Sequence, residues 1–419
     1  MCRYERLLPG LLLLVWASGC ASFTPPRESR HEYLQRAVTR SQGDVSVSAV
    51  VLTDHEAKQV FGSKLAGSDI QPVWVSIDNK LDEELLVMLI ALDPNYISPS
   101  EAAWRSSGPF ERGVRKKMNF FSKKQLPMLA RPGKHTEGYV FTNSDPGMKA
   151  FNVQLIGDQE SYSFSFAQMI PGLQTDFNAS QAVINAEHKT DKPNLSRREL
   201  RKYLEKLPST VFGGDGKTPG DPLNIVIVGK SRLGLATFSK QGWDPTETLR
   251  LGTAFRTVLS SIFGMSYRTS PVSPLMLFDR KQDYALQKAR KNVNERNHFR
   301  VWRAPVDCEG EPVWVGQISR DIGVKLNSRT LVTHVIDPEV DEARDYLLQD
   351  LLLSSAVQAT GYVKGVGVSS RKNPRKNFTH DPYVTDGLRV VLFLTSNPTP
   401  TDEIDWLDWE WPTVPDARE

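Results

Sequence analysis

The feature that most restricts this chain is a change of hydrophobic period near residue 195. Before it, the runs DVSVSAVVLT, IQPVWVSIDN, ELLVMLIALD, EGYVFT, MKAFNVQLIG and SYSFSFAQM carry β-branched and aromatic residues in partial alternation, separated by Asn, Asp, Gly and Pro. Strand side chains alternate between faces, so these runs predict half-buried strands joined by turns. Their number and spacing predict an antiparallel β-sandwich of immunoglobulin-like build over residues 44 to 185. Its loops would hold Pro99-Ser100-Glu101 and the basic stretch from Arg112 to Lys124.

Beyond a charged, proline-bearing linker at 186 to 194 the pattern turns to alternating strands and helices. Ser196 and Glu199 form a capping box, which starts a helix at Arg197 that should run to Leu207 before Pro208. LNIVIVG reads as a buried strand, SRLGLATFSK and TETLRLGTAFRTVLSSIFG as helices, SPLMLFD as a strand and RKQDYALQKAR as a helix. NHFRVWR, PVWVGQIS and LVTHVID follow as strands, PEVDEARDYLLQDLLLS as an amphipathic helix and GLRVVLFLT as a last strand. This order predicts an α/β domain with a mixed central sheet over residues 195 to 396, and an α+β class for the whole chain.

The first twenty residues, MCRYERLLPGLLLLVWASGC, place Arg3 and Arg6 before an apolar run from Leu7 to Trp16 and the small residues Ala17, Ser18 and Gly19. That is a secretory signal over 1 to 19, too short to span a bilayer as a helix. The small residues immediately before Cys20 resemble a bacterial lipobox, which implies that Cys20 is lipidated and that 20 to 43 serve as a tether. With Ala21 in place of Asp after the Cys, the resemblance implies the outer membrane, with the anchored protein facing the periplasm. A lipidated Cys20 leaves Cys308 no partner for an intrachain disulfide, so stability must come from packed cores. Three acyl chains, at about 0.8 kcal/mol per buried methylene, hold a protein firmly at a bilayer.

Charge removes one class of partner. Lys and Arg number 52 against 49 Asp and Glu, so no strong field draws the chain to nucleic acid. Residues 397 to 419 differ from the rest: seven acids stand against Arg418, with Trp406, Trp409 and Trp411 between them. Such a tail is expected to be mobile or to serve as a short motif for a protein partner, unless its tryptophans pack back on the parent domain.

Several segments of the second half occur in a familiar order: DPLNIVIVG, GW at 242 to 243, SPLMLFDRKQD, NHFRVW, PVWVGQISRDIG and VTHVIDPEVDEARDYL. Together they resemble the LssY-like C-terminal domain family of bacteria over about residues 195 to 370. In that family the domain is also joined to polytopic domains of the phosphatidic-acid-phosphatase and DedA types. The resemblance implies membrane association and prescribes no reaction.

Two Gly-Lys pairs fail as phosphate loops, since Val211 and Asn224 stand where the first Gly is required. The best candidate for chemistry is the strand His298-Phe299-Arg300-Val301-Trp302. Period two puts His298, Arg300 and Trp302 on one face, a titrating imidazole beside a planar cation and an aromatic wall. Asp321, His334, Asp337 and Asp341 lie in the following segments, and Arg280 stands one turn from Asp283. A catalytic set of His298, Arg300, Asp321 and His334, with Arg280 and Arg300 as anion binders, would supply a general base and its orienting carboxylate. Ion-pair ladders between strands are the plainer use of the same residues. A metal held by His298, His334 and an Asp ranks third, no metal or other cofactor is expected, and Cys308 reads as a packing residue. The sequence thus points to a lipid-anchored envelope protein that binds or scaffolds, with a hydrolase acting on a phosphate-bearing envelope or lipid substrate as the alternative.

Overall fold

A computed structural model describes residues 22–27, 32–108, 111–145, 147–158, 160–170, 192–246, 275–289, 296–327 and 331–412. The segment expected to be a signal, Cys20 and nearly all of the helix expected over 246–264 lie outside them. The chain divides into two compact units, Met1–Ser144 and Asp145–Glu419. No helix among the described residues is long and apolar enough to cross a membrane.

The first unit is built on an antiparallel sheet in the order β1 (Val38–Gln42), β2 (Val45–Val51), β3 (Ile70–Asn79) and β4 (Lys134–Asn143). The β1–β2 hairpin turns at Gly43, whose φ of 54° suits a residue without Cβ. Strand β1 and the short helix Glu32–Arg36 lie within the stretch expected to be a tether. Helix α1 (Asp54–Phe61) starts at a Thr53–Glu56 capping box and stops at Gly62 in the left-handed conformation. The two segments expected as loops are helices: α2 (Pro99–Arg105), capped by Ser98, and α3 (Val114–Lys123). Pro99 at the first turn and Phe121 on an apolar stripe made helices available, and burial selected them. Phe61 meets Phe121, Tyr139 and Phe141 at centroid distances of 4.9 to 5.1 Å, which joins the helices to one face of the sheet.

The second unit includes the hairpin β5 (Met148–Ile156) and β6 (Ser161–Met169), which the sequence pattern grouped with the N-terminal strands. Met148 and Ala150 belong to the same core as helix α5 (Ser231–Lys240). Helix α4 (Arg197–Glu205) begins at the Ser196–Glu199 capping box, as its sequence predicts. The central sheet is mixed and ten-stranded. Its middle runs β8 (Tyr284–Ala289), β9 (Arg296–Cys308), β10 (Glu311–Asn327), β7 (Ile225–Val228), β13 (Leu388–Leu394) and β12 (Val357–Lys364). Strands β7 and β13 are parallel, and β8, β9, β10 and β7 are antiparallel in turn. Strand β11 (Leu331–Ile336) pairs with the far end of β10, and Asn194–Leu195 pairs with Asp307–Cys308.

Segment 284 to 289 is a strand where its Ala, Leu, Gln and Lys content predicted a helix. Tyr284 and Leu286 join one core while Gln287 meets Arg296 on the other face, and a full ladder to β9 outweighs a helical propensity of a few tenths of a kcal/mol per residue.

Both faces of the sheet are covered. Phe299, Val301, Trp314, Ile227 and Leu392 pack with α5 and α6 (Val340–Leu352). Trp302, Val315, Val226 and Val391 pack with Leu200 and Leu204 of α4. The last described segment also belongs to this unit. Asp405–Trp406 adds a parallel edge strand beside Ala359–Thr360, and Ile404 and Leu407 are buried. The described part of the tail, residues 397–412, is therefore docked, anchored by two aliphatic side chains more than by its tryptophans.

Candidate functional site

The face of the sheet that carries Trp302 and Val315 changes character along its strands. Register explains it: Trp302 stands opposite Val315, Arg300 opposite Gln317, His298 opposite Ser319 and Arg296 opposite Asp321. An apolar floor thus gives way, two residues at a time, to a cross-strand block of polar side chains. All six of the polar residues are buried, Ser319 and Gln317 completely.

Three of the residues singled out in the sequence meet here. His298 Nδ1 lies 3.5 Å from Asp321 Oδ2, and His298 Nε2 lies 3.2 Å from the Ser319 hydroxyl. The other partners are ones the sequence reading passed over. Arg296 Nε donates to Asp321 Oδ2 at 2.9 Å and its guanidinium also donates to Gln287. Arg300 donates to Gln317 Oε1 at 3.1 Å, and Gln317 Nε2 donates both to Ser319 Oγ at 3.0 Å and to Asp221 Oδ2 at 3.1 Å. Asn377 completes the edge by donating to Asp221 Oδ1 at 2.9 Å. Burial pushes the Asp221 carboxyl up, although the charge of Arg300 and the Asn377 hydrogen bond oppose the shift.

Burying two guanidiniums, an imidazole and two carboxylates costs several kcal/mol per ion before pairing, and an apolar filling of the same volume commonly serves a fold as well or better. The cluster is therefore a poor structural device by itself. Chemically it aligns a hydroxyl, an imidazole and a carboxylate in that order, with two cations alongside. In that order the three groups could serve as nucleophile, base and orienter.

The remaining predicted residues stand elsewhere. His334 pairs with Val324 in register, three residues past Asp321 on β10, and its side chain lies outside the described residues. Arg280 belongs to a separate group: it donates to Asp283 and, at 2.8 Å, to the Arg303 carbonyl. Burial raises the Asp283 carboxyl despite Arg280. Asp341 helps to hold Arg344, which also bonds Asp386 at 2.7 Å and Asp345 at 2.8 Å, and burial lifts Asp341 to about 6. Asp337 caps its own turn by accepting from the Glu339 amide. The Cys308 thiol is fully buried and pushed up to about 12 by burial, which keeps it protonated and inert. Among the described residues no trio of His, Cys, Asp or Glu is placed to hold a metal.

Residues 201–388 match the family model described as LssY C-terminus, a span that holds the whole buried cluster. No curated protein matches the chain. The chain accordingly carries an LssY-like C-terminal domain.

Proposed function

We propose that this protein is an outer-membrane lipoprotein whose LssY-like domain is a hydrolase acting on a phosphate-bearing envelope or lipid substrate. The antiparallel strands of the N-terminal part serve as its immunoglobulin-like sandwich. The observation that carries the hydrolase reading is the chain of contacts from Ser319 Oγ through His298 to Asp321. In this reading Ser319 attacks, His298 takes its proton, Asp321 holds the imidazole, and Arg296 and Arg300 balance the anionic substrate.

A fluorophosphonate probe tests it. Ser319 Oγ forms a bond to phosphorus, fluoride leaves, and the hydroxyl proton passes to His298. The purified form, residues 21–419, should be labelled once per chain, and Ser319→Ala should abolish the label. A label retained by Ser319→Ala would remove the assignment. The complete burial of Ser319 favours the second reading, an envelope binding or scaffolding protein, for which no labelling is expected. In that reading the stacked Trp406 and Trp411, both exposed, offer a surface to a protein partner.

The anchor has its own test. Cys20→Ser should leave the signal uncleaved and eliminate labelling by a fatty-acid probe; persistent labelling would refute lipidation at Cys20.

A further inference from the structure

Helix α3 is divided into two sides. Lys117 and Phe121 are buried, and Lys117 is held by the Ser106 carbonyl at 2.9 Å, the Ser107 hydroxyl at 3.2 Å and Glu111 at 3.3 Å. At 100° per residue Arg115, Lys116 and Lys123 fall on the opposite side, and all three are exposed. Among the described residues of this helix only Lys117 pairs with an acid. Like charges gathered on a short helix repel and add nothing to its stability, so the fold gives no reason for them.

The path of the chain gives one. Ser22 bridges to Arg112, and the Phe23 amide donates to the Arg112 carbonyl at 3.0 Å. Phe23 is buried with its ring 5.8 Å from Phe120, and the Lys117 ammonium lies 5.8 Å from the Phe23 ring. The start of α3 is therefore fixed to residue 22. Two residues of chain reach at most about 7 Å, so a lipid on Cys20 enters its bilayer beside this helix. Trp104, 65% exposed, lines a surface recess together with Val114 at the head of α3, and an exposed Trp is suited to the headgroup level.

We infer that the exposed face of α3 is a membrane-contact surface for the phosphates of anionic lipid headgroups, and that it orients the first unit on the bilayer. The inference rests on the lipoprotein reading for its anchor, but its charge chemistry is testable without the lipid. Residues 21–419, unlipidated, would be sedimented with phosphatidylcholine vesicles and with vesicles containing about one third phosphatidylglycerol. Binding is expected only to the anionic vesicles and should fall as salt rises above about 0.1 M. The variant R115A/K116A/K123A, altered only at exposed positions, should bind about 100-fold more weakly, near fivefold per cation, with an unchanged melting temperature. No binding to anionic vesicles at low salt, or binding that the triple variant leaves intact, would overturn the inference. Fatty-acid labelling at Cys20 is a separate measurement, so either idea can fail alone.

Discussion

His298→Gln is expected to slow fluorophosphonate labelling by about 10²- to 10⁴-fold, the usual contribution of a general base. Glutamine is the informative replacement because His298 is buried, not half exposed as a cleft residue would be. Alanine would leave a cavity under the sheet and mix a packing loss with a chemical one. The glutamine carbonyl can still accept from the Ser319 hydroxyl across the 3.2 Å separation, but it cannot carry a proton away. Asp321 keeps its partner Arg296 at 2.9 Å, so the variant should leave no orphaned carboxylate and should melt close to the parent. A His298→Gln variant that reacts at the parental rate would mean that His298 does not activate Ser319, and the cluster would then be a structural network.

The parts of this molecule that were legible in the sequence are those in which one local rule decides. The Ser196–Glu199 capping box, the strand–helix pair of β7 and α5, and the helix Val340–Leu352 all follow from hydrogen-bond chemistry or period within a dozen residues. Where two rules compete, tertiary burial decided. Tyr284–Ala289 has helical composition and a strand alternation, and only the ladder to β9 selects the second. The basic stretch at 112 to 124 has a solvated composition, but the four-residue interval between Lys117 and Phe121 marks its buried stripe.

The site divides the same way. Alternation alone places His298 with Arg300, and it equally places Gln317, Ser319 and Asp321 on one face of β10. What the sequence lacks is the register that sets Ser319 opposite His298, since a slip of one residue would turn the whole set away. Asp221 reaches Gln317 across 96 positions of chain and Asn377 reaches Asp221 across 156, and no local signal announces such contacts.

Removal of residues 397–419 is expected to destabilise the second unit by about 3 to 6 kcal/mol, although acids dominate this segment. Ile404 is buried in the core on the α5 and α6 side of the sheet, and Leu407 in the core on the α4 side, so the segment closes the edge at β12 from both faces. Each aliphatic side chain contributes about 1.5 to 3 kcal/mol when fully buried. The Leu407 amide donates to the Thr360 carbonyl at 2.8 Å and the Glu410 amide to the Tyr362 carbonyl at 3.0 Å, so truncation also bares the edge of β12. Arg197–Asp405 and Arg201–Glu410, at 2.7 and 2.9 Å, are partly exposed pairs worth at most about 1 kcal/mol each. For a unit of this size the loss corresponds to a fall of roughly 10 to 20 °C in melting temperature. Leu407→Ala alone should reproduce about 2 kcal/mol or more of it. Trp406→Ala with Trp411→Ala should do little, because those rings stack on each other at 5.3 Å in solvent. A truncated protein melting within about 2 °C of the parent would show that the edge strand is dispensable and that its acids outweigh its two anchors.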